Sequence, residues 1–168
     1  IEIFTLRLIS QGSGVTTWTL SLPPSEQFFL GKVNGGVAVI SKEGAITFAE
    51  RASGQVRWRS EAFGNVSAKP SFSIESIVFG TSDKQLLVIS GKDGEPITKY
   101  STDFVPTSVA FTKNQGFVAG DQRGNVALYG PRETKSVWRF KSGAGVSSVD
   151  SDTEGITVSS LDNFIYFI

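Results

Sequence analysis

A fixed internal spacing constrains this chain more than any other property. Four segments align without gaps: residues 37–49 (VAVISKEGAITFA), 77–89 (IVFGTSDKQLLVI), 117–129 (FVAGDQRGNVALY) and 156–168 (ITVSSLDNFIYFI). Their starts lie 40, 40 and 39 residues apart. Each is an apolar run, a short polar turn and a second apolar run, which is the pattern of a β-hairpin. A constant period of this length marks a repeat architecture, in which each unit buries its faces against its neighbours.

A second series keeps the same register. Trp18, Trp58 and Trp138 are separated by 40 and then 80 residues. The missing member falls at Thr98, with Tyr100 close by as a substitute. Gly14 and Gly54 each stand four residues before a Trp, Gly94 holds the matching place in the next unit, and Thr134 replaces the glycine in the last.

The register predicts four strands per unit. In the first complete unit they cover 28–34, 36–41, 45–51 and 55–62. In the second they cover 66–74, 76–82, 86–92 and 95–101, and in the third 105–112, 116–121, 126–132 and 137–142. Residues 4–9 and 15–22 match a third and a fourth strand, and the stretch from 146 supplies a first, a second and a third that ends at 164–168. The expected domain is therefore a single one, residues 1–168, with blade units at 1–22 (partial), 28–62, 66–101, 105–142 and 146–168 (partial). No segment keeps a 3.6-residue apolar spacing over three turns, and Gly or Ser interrupts every candidate helix. Four short antiparallel strands in each unit of about 40 residues predict an all-β propeller. A sandwich also has short strands, but does not need so strict a register.

The stretch EGAITFAERASGQVRW (43–58) resembles the PQQ-like repeat, also called the tryptophan-docking repeat. SGVTTW (13–18) matches its latter half. The unit with RGNVALY keeps the Trp and loses the turn glycine, whereas the unit with Asp93-Gly94 keeps the turn and loses the Trp. The resemblance covers essentially the whole chain. It implies a β-propeller of about seven or eight blades, of which about four are present here. It also implies that Trp18, Trp58 and Trp138 pack between neighbouring blades, with Gly14, Gly54 and Gly94 as further blade-docking positions. The physics agrees, because a Trp buries roughly 200 Å² while its indole N–H finds a carbonyl. Both ends of the sequence fall within a blade, so the remaining blades are expected from missing sequence of the same polypeptide. A second copy closing an eight-bladed assembly is the alternative.

Composition excludes several chemistries. Cys and His are absent, so disulfides, thiolate catalysis, Cys/His zinc sites and His-based triads cannot be built from this chain. Sixteen Lys and Arg balance sixteen Asp and Glu, which gives no long-range attraction to nucleic acid. No apolar run approaches the ~20 residues of a membrane helix.

Ligands of such a ring meet the loops between second and third strands. One offset in those loops holds Glu43, Asp83 and Asp162, with Arg123 interrupting the series. Facing a common axis, these groups could attract a cation or a basic partner. Turn stabilisation by solvated side chains is the better-supported reading. Gly143-Ala144-Gly145 is no phosphate loop, since no helix follows it. Asn65-Val66-Ser67 is a glycosylation sequon only in a eukaryotic secreted protein. Phe63 and Phe104 read as core rather than as a binding platform.

No motif activates a nucleophile. The expected function, implied by the resemblance, is a non-catalytic scaffold for protein–protein interaction through the loop face or by strand addition. It would work in the bacterial cell envelope, exported or periplasmic, in a role of the outer-membrane protein assembly type, without a cofactor. One alternative is a fragment of a PQQ-dependent quinoprotein dehydrogenase, and another is the sensor ectodomain of a membrane receptor.

Overall fold

The computed structural model describes residues 4–113, 116–131, 133 and 135–168, and among them every regular element is a β-strand. β1 (Phe4–Ile9) and β2 (Thr16–Leu22) form a two-stranded sheet. β3 (Phe28–Val33), β4 (Gly36–Ser41), β5 (Ile46–Glu50) and β6 (Val56–Arg59) form a four-stranded sheet in that order. The next holds β7 (Ser71–Phe72), β8 (Ser76–Thr81), β9 (Gln85–Ser90) and β10 (Pro96–Ser101). A further four-stranded sheet holds β11 (Pro106–Phe111), β12 (Phe117–Asp121), β13 (Asn125–Tyr129) and β14 (Ser136–Lys141). The last is three-stranded, with β15 (Val146–Ser151), β16 (Ile156–Ser160) and β17 (Ile165–Phe167). All neighbours within a sheet run antiparallel. The repeating hairpins of the sequence are the second and third strands of the last four sheets.

First strands of successive sheets lie side by side: β3 against β7, β7 against β11, and β11 against β15. The sheets therefore radiate from their first strands, as propeller blades do. The side-chain period of two then sends alternate residues to opposite neighbours. In β8, Ile77 and Phe79 enter the cluster shared with the preceding sheet, while Val78 enters the one shared with the following sheet. Both faces are covered, so β8 and β9 are apolar without alternation, and Ile77, Val78, Phe79, Leu86 and Ile89 are fully buried. Each such side chain contributes roughly 1.5–3 kcal/mol by leaving water.

Close stacking needs small residues where a first strand approaches the second strand of its neighbour. A Cβ on Gly80 would stand 2.6 Å from Pro106, and one on Gly120 would stand 2.7 Å from Val146. These glycines are 40 residues apart and serve the same junction in successive units.

The expected strand at 66–74 is largely absent. It is reduced to β7 and an isolated bridge between Val66 and Thr81. Ser67 and Ala68 both direct their N–H groups at the Gly80 carbonyl, and Pro70 has no N–H to continue a ladder. One fourth strand is also shorter than expected, β6 at Val56–Arg59 rather than 55–62. Thr134, and Arg132 at the end of the expected strand 126–132, lie outside the described residues.

Candidate functional site

Loops joining second to third strands are tied to the links between sheets. Val66 N donates to Lys42 O at 2.8 Å, Ser82 N to Asn65 O at 2.9 Å, and Thr102 N to Lys84 O at 2.8 Å. These bonds fix the loop backbones before any side chain is considered.

Glu43, Asp83 and Arg123 are exposed on separate turns, and Asp162 is half-buried on its own. Its own backbone N–H and the Ser41 hydroxyl hold Glu43 below the usual carboxylate range. Asp162 accepts from Gly143 N at 2.7 Å, Tyr166 Oη at 2.7 Å and Phe164 N at 3.0 Å. Thus Gly143, at the head of the Gly-Ala-Gly stretch, is tied to a carboxylate. Among the described residues no three acidic side chains come close enough to hold a metal ion.

Sequence reasoning missed Asp121, which is 3% exposed. It accepts from Arg123 N at 2.9 Å, Asn125 N at 2.7 Å and Asn125 Nδ2 at 2.6 Å, closing the β12–β13 turn. Ser41 does the same more weakly at the equivalent place two units earlier, accepting from Ala45 N at 3.3 Å. A hydroxyl or carboxylate just before the turn was the available signal.

Asp162 gives a pH prediction. Desolvation opposes its charge, but the Tyr166 hydroxyl, the Phe164 N–H, the Ser160 hydroxyl and the Gly143 N–H outweigh it and lower the pKa to about 2. A folded pKa below the unfolded value stabilises the native state above the ordinary carboxylate range, and this stabilisation fades as pH falls through about 2. Asp162→Asn should therefore unfold in less urea than the parent at pH 7, with the two midpoints converging under acid. Parallel midpoints across that range would contradict this account.

The outer strands carry the Trp series. The Trp18 ring lies over Gly54, whose added Cβ would stand 2.6 Å from it, and Trp18 Nε1 donates to Arg51 O at 2.8 Å. Trp58 lies over Gly94 in the same way, again at 2.6 Å. It stacks on Phe48 with centroids 5.3 Å apart and planes 10° apart. Each ring thus bridges its own sheet and the next one. A Cβ added at Gly14 would meet nothing within 4 Å. Trp138 is half-buried at the edge of the cluster between the fourth and fifth sheets, with Leu128, Phe140 and Tyr166. In the third sheet Tyr100 Oη donates to Gly130 O at 3.0 Å, reaching the next sheet as Trp18 does. Phe104 is buried and Phe63 packs against the first cluster.

Two clefts open beside these outer strands. One, of about 610 Å³, is lined by Asn34, Gly36, Phe48, Arg57 and Trp58. The other, of about 860 Å³, is lined by Ile74, Val88, Ile97, Thr98, Tyr100 and Phe117.

A family model described as outer membrane protein assembly factor BamB matches residues 4–159. No curated protein matches by sequence. Among solved structures, BamB from Moraxella catarrhalis superposes with a TM-score of 0.72 at 12% identity, covering 99% of this chain and 47% of that one. This chain thus spans about half the length of that relative. The computationally designed Ika4 protein gives a TM-score of 0.75 at 16% identity, covering 87% of this chain and 94% of that one. The WD40 repeats of RRP9 give 0.69 at 12% identity, covering 84% and 48%. At these identities the likeness establishes the propeller fold.

Proposed function

The chain belongs to the PQQ-like repeat family of the outer membrane protein assembly factor BamB, and from that premise we propose that it is part of a non-catalytic propeller scaffold for protein–protein contacts in the bacterial cell envelope. The match over residues 4–159 carries this reading. It is supported by the loop face, where Asp121 and Asp162 are engaged in closing turns and Glu43, Asp83 and Arg123 stand on separate turns. Such a face offers shape and backbone groups to a protein rather than a reaction centre to a small molecule. Trp18 and Trp58 then have the structural task of joining blades, which keeps the scaffold rigid.

In the source bacterium, deleting the gene should reduce the amount of folded β-barrel protein in the outer membrane, read by heat-modifiable gel mobility, and the intact gene should restore it. Fractionation should place the product in the periplasm. Unchanged barrel levels would overturn the assembly role. Dye reduction by the purified protein with added PQQ and calcium would overturn the non-catalytic one.

A further inference from the structure

We propose that the outer edge of β2 is a docking site for an extended, uncharged segment of a protein partner, which adds to the first sheet as a further antiparallel strand. The proposal rests on the scaffold reading above and names the place and the chemistry of one of its contacts.

A fourth strand ends its sheet, so its far edge carries backbone N–H and C=O groups that the sheet does not use. β2, β6, β10 and β14 hold that place, and among the described residues no strand pairs with their far edges. The sheets radiate from their first strands, so these edges lie at the rim, where closing the ring would not cover them. Proteins blunt such an edge with charge, proline or short length, because it is otherwise a template for another strand. β6, β10 and β14 follow this rule at a fixed offset. The residue after the Trp place is Arg59, Lys99 and Arg139 in turn, each exposed. β6 adds Arg57 and has only 4 residues, β10 opens on Pro96, and β14 ends on Lys141.

β2 departs from every part of that pattern. Thr19 stands where the other units have a cation, and the strand is the longest of the outer ones, with 7 residues. No charged residue occurs between Arg7 and Glu26, the longest uncharged stretch of the chain. Val15, 62% exposed, leads into the strand where the other units place Gln55, Glu95 and Lys135. Thr16, Thr17 and Thr19 favour an extended backbone. The strand is also held in place, since Trp18 lies on Gly54 and its Nε1 donates to Arg51 O at 2.8 Å. A fixed edge loses little freedom when a partner adds to it.

The edge itself specifies the occupant. A row of N–H and C=O groups along 7 residues is matched in full only by another extended backbone. Trp18 and Leu20 are half-buried on one side of β2, while Thr17, Thr19 and Ser21 are exposed on the other. The matching segment therefore alternates apolar residues with threonine or serine, so that like meets like across the new pair.

The test uses the 168-residue chain, ¹⁵N-labelled. The probe is a peptide alternating threonine and valine over 7 residues, the length of β2, with a lysine beyond each end for solubility. Its control is the same peptide with alternate backbone nitrogens methylated, which keeps the side chains but cannot pair as a strand. The peptide should shift the amide signals of β2 and slow hydrogen exchange at its outward N–H groups, leaving β6, β10 and β14 unchanged, and the methylated peptide should do neither. Thr19→Lys gives β2 the residue type of the other outer strands at an exposed position. It should weaken the response about tenfold or more without moving the urea midpoint. Thr17→Lys, at the place of Arg57, should act alike, which covers the case in which the first variant does not fold. An equal response to the methylated peptide, equal shifts in β6, β10 or β14, or an undiminished response in the lysine variants would each overturn the proposal. Slow exchange in β2 without peptide, with a dimeric mass by light scattering, would overturn it in favour of a second copy on that edge. A deletion phenotype with no peptide response leaves the scaffold reading standing and removes this site, and the reverse pattern does the opposite.

Discussion

Replacing Trp58 by alanine is expected to cost about 3–5 kcal/mol of stability, read from urea or thermal unfolding. The ring is stacked on Phe48 of its own sheet and lies on Gly94 of the next. Its Nε1 is buried and has no hydrogen-bond partner among the described residues. Truncation therefore forfeits no hydrogen bond, and the cost comes from lost packing and from the void left at the junction. A loss below about 1 kcal/mol, the size expected of a surface substitution or little more, would mean that the ring does not join the sheets.

Gly94→Ala is expected to be nearly as damaging, and Gly14→Ala is its control. Gly14, Gly54 and Gly94 have φ of +67°, +72° and +80°. A side chain in that left-handed region costs roughly 1–2 kcal/mol at each position. Gly14 should incur that backbone cost alone, since nothing lies within 4 Å of its added Cβ. Gly54 and Gly94 should add the cost of pushing an indole away, typically about 1–3 kcal/mol for an overpacked contact. In the Trp58→Ala background the extra cost at Gly94 should vanish, leaving the backbone part, which a double-mutant cycle isolates. Equal losses at all three glycines, or additive losses at Gly94 and Trp58, would contradict the contact.

The repeat made the architecture legible, because a 40-residue period with a hairpin in each unit has few structural solutions. The Gly and Trp series showed that the outer strands and their turns repeat, but not which of these residues meet. In fact Trp18 meets Gly54 and Trp58 meets Gly94, each a unit ahead, and no local pattern encodes which neighbour a ring will cover. The short β7 was only partly legible, since Pro70 already argued against a continuous strand over residues 66–74. The competition for the Gly80 carbonyl arises only once the strands are paired. The larger cleft was hidden for a related reason. Thr98 was read as a lost Trp with Tyr100 in compensation, but strand pairing sends Tyr100 inward and leaves the outer place to Ile74, Ile97 and Thr98. Asp121 was overlooked because a carboxylate beside a turn usually signals solvent, whereas this one is enclosed by the turn it closes.

Every buried cluster draws its members from two adjacent sheets, so the unit of cohesion is out of phase with the unit of sequence. A gene duplication that copies about 40 residues reproduces a whole interface wherever in the period its breakpoints fall, because each copied surface meets the partner it had before. A point change such as the one at Thr98 therefore stays confined to a single interface. This gives the lineage a way to vary one seam while its neighbours go on holding the shape.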